Sequence, residues 1–386
     1  MRHEPLPRVS DPQLEAGGGG SVAYPEAAAA IRLNPAAFAE PARFLTRGAG
    51  ALAVSPQALS RIGTRLASDG MVPLPREFAS VAAPEFSGNG FGFSGSGEFF
   101  LSGFNIGLGF FTDHEVFMRA SGTADGQDGA LRDATGYLLS QSGLAAGLAI
   151  PFSAGPIEVS VGGAVRPMLR VRGVFDDGQA VGAFASGEPF GDAFADTPVL
   201  NGFALALDAG VLAHYGNLSV GLGLRDIGGT AVDYREHSLA EVIEASADGR
   251  LPDGGDGTGS LLEEDASYVI PMQTRVGVAY SLDWRFFKPT VFADIYNPHR
   301  AFTSDSSALT ARGHASADSS SRRAADHLSA GIDATVLRFF SARAGINADG
   351  PSLGFGASLG PLRLDSSIVF GEGAASRASV GAQLRF

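Results

Sequence analysis

The stretch "PIEVSVGGAVRPMLRVRG" at 156–173 puts Ile157, Val159, Val161, Val165, Leu169 and Val171 on one side of an extended chain. Glu158, Ser160, Gly162, Arg166, Arg170 and Arg172 fall on the other. Successive side chains of a strand point to opposite faces, so this segment reads as a strand with one apolar and one polar face. "FALALDAGVLAHY" at 203–215 repeats the pattern, with Phe203, Leu205, Leu207 and Val211 opposed to Ala204, Ala206, Asp208 and Gly210. So does "LSVGLGLR" at 218–225, with Leu218, Val220, Leu222 and Leu224 opposed to Ser219, Gly221, Gly223 and Arg225.

Outward from there, the same alternation predicts strands at 44–54, 90–112, 115–122, 135–152, 156–174, 199–214 and 217–227. It predicts seven more at 269–282, 287–297, 326–337, 339–348, 351–360, 362–371 and 376–386, which makes fourteen. Short links fall near 113–114, 153–155, 215–216, 283–286, 338 and 361, and long polar ones at 55–89, 123–134, 175–198, 228–268 and 298–325. Short turns on one rim and long loops on the other describe a transmembrane β-barrel. Phe110, Phe111, Phe152, Tyr215, Trp284, Phe286, Phe287, Phe339, Phe340 and Phe386 lie near the short-link ends, where an interfacial girdle belongs. Tyr268, Tyr296, Phe302 and Phe370 would mark the opposite rim.

A soluble antiparallel protein also alternates. Its polar face would meet water and carry many Lys and Glu. Here that face is mostly Gly, Ser and Ala, and Lys occurs once, at Lys288. The expected fold class is therefore all-β, a transmembrane antiparallel β-barrel of about 14 strands.

Composition narrows the chemistry. The chain has 386 residues, 53 of them Gly, and no Cys, which removes disulfides, thiolate metal sites and a Cys nucleophile. A net charge of −13 argues against nucleic acid as a partner. No apolar run reaches the length of a membrane-spanning helix. Nor does "MRHEPLPRVSDPQLEAGGGG" contain the apolar core of a signal peptide, so the chain is either cytoplasmic or has lost a signal; the barrel reading selects the second. The Gly tract at 17–20 suits a mobile lead-in. Helix is expected at 24–40, broken by Pro35, at 55–70, and at 238–248.

Enzyme signals are poor. The seven His are scattered and none forms His-Glu-x-x-His. No Gly-rich phosphate loop with a Lys is present, and "DGGDGTG" at 253–259 does not have EF-hand spacing. No catalytic residue, cofactor or metal is expected.

The chain ends "SRASVGAQLRF", with Phe386 and Leu384 on the apolar alternation. This resembles the C-terminal signal by which bacterial outer-membrane proteins are recognised for assembly. "AAAAIRLNPAAFAE" at 27–40 resembles the N-terminal region of the FadL/TodX family of outer-membrane transporters for hydrophobic compounds, and of its PorV-like and TraF-like relatives. In that family an Asn-Pro-Ala segment follows a short helix and precedes the first strand; Asn34, Pro35 and Ala36 match it. The resemblance implies a bacterial outer-membrane location, and partners comprising membrane lipid, the assembly machinery and a small hydrophobic ligand. It also implies a partly helical hatch at 1–43 lying in the lumen of a barrel at 44–386. The chain departs from the fatty-acid transporters in lacking a long apolar loop segment for ligand docking. Its loop between Asp233 and Asp265 instead holds ten Asp or Glu against two Arg. Two further functions therefore stay open: an assembly barrel whose loops dock a partner protein, as in the PorV-like relatives, and a general diffusion porin.

Alternation turns Arg166, Asp208, Arg225, Arg275, Asp294, Asp333, Arg343, Arg363, Asp365, Arg377 and Arg385 toward the lumen. Pairs on adjacent strands, Arg275 with Asp294 and Asp333 with Arg343, would brace the wall or hold the hatch. The same lining would guide a polar ligand head.

Overall fold

The structure, a computed structural model, describes residues 2–3, 11–24, 30–40, 43–54, 91–120, 134–175, 180, 188, 190–248, 250, 268–284, 286–298, 327–337, 339–371 and 376–386. The expected helix at 55–70, Phe302 and the "DGGDGTG" turn lie outside these residues.

After the two-residue β1 (Arg2–His3), the wall begins with β2 (Arg43–Val54), β3 (Phe91–Gly103), β4 (Ile106–Ala120) and β5 (Ala134–Ala154). It continues with β6 (Ile157–Phe175), β7 (Pro198–Tyr215) and β8 (Leu218–Arg225). β9 (Thr230–Ser238) and β10 (Tyr268–Ile270) extend the β7 side upward. β11 (Gln273–Ser281), β12 (Phe287–Tyr296), β13 (Leu328–Val336) and β14 (Phe340–Asn347) come next, then β15 (Gly350–Leu359), β16 (Leu362–Val369) and β17 (Ser376–Arg385). Within β2–β8 and β11–β17 sequential neighbours pair antiparallel, β8 pairs with β11, and β17 pairs with β2, which closes a ring of 14 strands. Closure leaves no unpaired edge for lipid to meet.

The two faces are sorted as the alternation requires. Leu108, Leu144, Leu205, Val291, Phe355 and Val380 project outward and are exposed. Ser102, Asp113, Arg166, Asp208, Ser352 and Asp365 project inward and are buried. An exterior of bare large apolar side chains is unfavourable in water, at roughly 25 cal/mol per Å², and suits hydrocarbon. The architecture is that of an outer-membrane β-barrel. At the last strand, Phe386 N–H donates to Phe44 O at 3.0 Å and Phe44 N–H returns to Phe386 O at 3.1 Å, so the terminal residue completes the seam.

Several local readings are corrected. The first short turn is at Phe104–Asn105, not at 113–114; both residues have positive φ, 53° and 65°. Phe110 and Phe111 therefore lie within β4, one outward and one buried inside, and Phe104 is the exposed turn residue. Tyr268 and Tyr296 point inward: Tyr268 stacks edge-on against Tyr234, and Tyr296 lies beneath Arg275. Pro35 opens a 3-10 helix, Pro35–Ala39, because Asn34 caps it and proline is at home in the first helical position. The Gly17–Gly20 tract is seated rather than loose, with Gly18, Gly19 and Gly20 at positive φ.

Above the lipid level, β3 to β7 carry a second outward apolar cluster of Phe91, Val116, Met118, Leu138, Phe175 and Val199. It is covered by the short helix Phe190–Ala193, by Phe194, and by Leu239 and Val242 of the helix Leu239–Ala247. That second helix is held by a capping box: Glu241 N–H donates to Ser238 Oγ at 3.2 Å, and Ser238 N–H to Glu241 Oε2 at 3.0 Å.

Candidate functional site

The N-terminal segment makes a partial circuit of the inner wall. Its first part is a short helix, Pro12–Ala16, capped by Asp11, which accepts from Gln13 N–H at 3.1 Å. Asp11 also receives Arg47 of β2 at 2.6 Å. Glu15 lies 3.0 Å from Arg377 of β17 and accepts from Ser379 at 2.6 Å and Ser367 at 3.1 Å. Ser352 of β15 donates to Ala16 O at 3.0 Å.

The Gly tract then passes β13 and β14 at backbone contact. A Cβ at Gly345 would collide with the Gly17–Gly18 backbone, so this seat needs glycine on both sides. Left-handed residues turn the Gly19 and Gly20 carbonyls toward Arg275, whose guanidinium donates to both. Arg275 Nε also pairs with Asp294 at 2.6 Å, and Asp294 accepts from Ser21 Oγ at 2.5 Å and Val22 N–H at 2.8 Å.

The second part, Ala30–Ala39, lies against β3 to β8. Arg32 forks onto Asp113 with two bonds of 2.9 Å and also reaches Glu98. Glu98 is shared with Arg47, and Gln141 donates to Asp113 at 2.9 Å. Asn34 accepts from Ala36 N–H at 3.0 Å while its amide donates to Val22 O at 2.9 Å and Val211 O at 3.1 Å. It thereby ties the segment's two parts to each other and to β7. Side chains at Gly162 or Gly210 would meet Pro35, Ala36 or Asn34, and at Gly107 or Gly147 the Phe38 ring. Around Phe38 and Ile31 the wall is apolar: Phe100, Phe111, Ala145, Ala149, Met168, Ala204 and Ile270.

Of the lumen charges read from sequence, Arg166 pairs with Asp208 at 2.5 Å and reaches Asp226 at 3.2 Å. Arg225 donates to Arg32 O at 2.8 Å, so it meets the segment through a carbonyl. Asp333, Arg343, Asp365 and Arg363 form one string with Nε or Nη to carboxylate distances of 2.7, 2.7 and 2.8 Å. They brace β13 to β16 below the segment. Arg385 sits beside Gln383 near the short-turn rim, apart from the others. Leu384 and Phe386 face outward. The sequence reading missed Asp11, Glu15, Arg32, Arg47, Glu98, Asp113 and Asp226. Glu98 and Asp113 share the inward alternation of β3 and β4 with Phe100 and Phe111, and were lost to the misplaced turn.

No protein-family model matches the chain, and no curated protein does. Among solved structures, the toluene transporter TbuX of Ralstonia pickettii is similar at 13% identity, over 97% of this chain and 98% of that one, with a TM-score of 0.49. The Pseudomonas putida toluene transporter TodX gives 10% identity, 100% and 98% coverage and a TM-score of 0.47. A Pseudomonas aeruginosa FadL homologue gives 13%, 100%, 98% and 0.43. The likeness is one of fold. The barrel itself rests on the strand pairing and the apolar exterior described above.

Proposed function

We propose that the protein passes small hydrophobic or amphipathic molecules across a bacterial outer membrane, with the segment 1–43 acting as a hatch in the lumen of the barrel 44–386. The supporting observation is the junction between segment and wall. On the β3–β8 side Ile31 and Phe38 meet a lining of Phe, Met and Ala, while the anchors around it are polar and individually breakable. An apolar junction closed by a polar-anchored segment suits an apolar cargo better than a general water pore, which needs a continuous wet channel. Asn34, Pro35 and Ala36 would form the moving edge, and the Arg and Asp rows the frame it leaves and returns to.

The test is uptake of a small apolar fluorophore by bacteria carrying the barrel in an intact outer membrane. Entry above that of barrel-free cells, altered by Asn34→Leu, is the expected result. Equal entry with and without the barrel, alongside passage of small sugars and salts, would replace this reading with a diffusion pore.

A further inference from the structure

The outward face is apolar at the lipid level and apolar again under the 190–193 and 239–247 helices. Between these levels β4 and β5 are polar, while the β6 residues in register with them, Leu169 and Val171, stay apolar. Thr112 and His114 of β4 stand opposite Ser142 and Ser140 of β5, on the same face as the exposed Phe110 and Leu144. Ser140 Oγ lies 2.7 Å from His114 Nδ1, His114 Nε2 lies 2.7 Å from Thr112 Oγ1, and Thr112 Oγ1 lies 2.7 Å from Ser142 Oγ. The four groups make one unbranched chain.

Its hydrogens do not balance. Three hydroxyls and a neutral imidazole bring one more polar hydrogen than the chain has bonds. If the chain donates from Ser140 toward Ser142, the Ser142 hydroxyl is left over; if it runs the other way, the Ser140 hydroxyl is. A protonated imidazole only adds to the surplus. Among the described residues neither serine has another hydrogen-bond partner. A donor without an acceptor on the outside of a membrane wall is unfavourable unless the surroundings supply one.

Depth decides what the surroundings are. Irregular backbone is not tolerated in hydrocarbon, so the helical cover stands outside it, while Phe110 and Leu144 face it. The tetrad therefore lies at head-group level. On the β3 side its neighbours are Gly97 and Gly95, which leave the flank open.

We propose that Thr112, His114, Ser140 and Ser142 form a lipid site that donates a hydroxyl hydrogen to the phosphate of a membrane phospholipid, whose chains lie along the apolar band. The proposal rests on the membrane-barrel fold and not on any transport activity. To test it, the full chain in a non-ionic detergent is unfolded thermally with added short-chain phosphatidylglycerol, with the matching diacylglycerol, or with inorganic phosphate. Only the phospholipid should raise the unfolding temperature, and the double variant S140A/S142A should lose that rise while keeping heat-modifiable gel migration. An equal rise in the double variant, with diacylglycerol, or with free phosphate overturns the site. Should the double variant not fold, native mass spectrometry of the unaltered chain decides. One phospholipid outlasting the others on activation supports the site, and loss of all phospholipids together, or equal retention of diacylglycerol, refutes it.

Discussion

Asn34 serves three backbone groups at once, two of them carbonyls on different parts of the chain. Replacing it by Leu leaves those groups without their partner and sets a larger side chain against Gly210. At about 0.5–1.5 kcal/mol for each bond, the hypothesis predicts a loosening of about 2–4 kcal/mol. Amide exchange at 30–38 in the Asn34→Leu barrel should then rise by about thirtyfold or more, since 1.4 kcal/mol is a factor of ten; unchanged exchange would mean that the cap is idle. Arg32 makes a sharper case. Its fork onto Asp113 is one that Lys cannot copy. Arg32→Ala strands a buried carboxylate, a loss of about 3–5 kcal/mol, whereas adding Asp113→Asn should recover part of it. If the double variant is as loose as the single one, the pair does not hold the segment. Asp226 shows why some of this site was not legible beforehand. Strict alternation after Arg225 sends it outward, but the chain turns left-handed there (φ 54°), and Asp226 comes inside to accept from Arg166 and Thr230. Period-two reading fails wherever one residue leaves the extended region.

The strands themselves were legible because each has a face that must meet lipid and a face that must not. The exceptions follow from turn chemistry and from tertiary contact. Phe104–Asn105 carries no glycine, although two positive φ values usually call for one, while the polar run Thr112–Asp113–His114 imitates a turn in mid-strand. The Asp11–Pro12 pair is a helix-start signal that the sequence reading passed over, and the Gly tract after it was misjudged because nothing local reveals a partner more than three hundred residues away. Two element-level predictions follow from the wall. A Leu at Gly147 of β5 points at the Phe38 ring, so Gly147→Leu should displace the 35–39 turn and raise channel conductance without changing the barrel's gel migration. Conductance equal to that of the unaltered barrel would place Phe38 elsewhere. Deleting Phe386 removes two bonds at the β17–β2 seam and an exposed aromatic. We expect less folded barrel in the membrane and the same conductance per folded molecule, and normal membrane levels would count against an assembly role.

As a whole, the molecule carries a belt of large exposed apolar side chains on its outer face, so it should need detergent to remain a folded monomer; stability in plain buffer would contradict the fold. Removing 1–43 takes away one partner each of Arg275, Arg377, Glu98 and Asp113, and single-channel conductance in planar bilayers should rise. If truncated and intact barrels conduct alike, the segment does not obstruct the lumen. The seat of that segment also fixes an order of events during biogenesis. Glu15 accepts from Ser367 and Ser379, which follow it by 352 and 364 residues, and Asp11 is held by the strand that β17 closes upon. Contacts so distant along the chain form late. The N-terminal segment is therefore among the last parts to find its place, and every intermediate before closure carries an unfilled interior. Whatever guides the strands into the membrane must also keep the waiting N-terminus from seating too early or outside the ring.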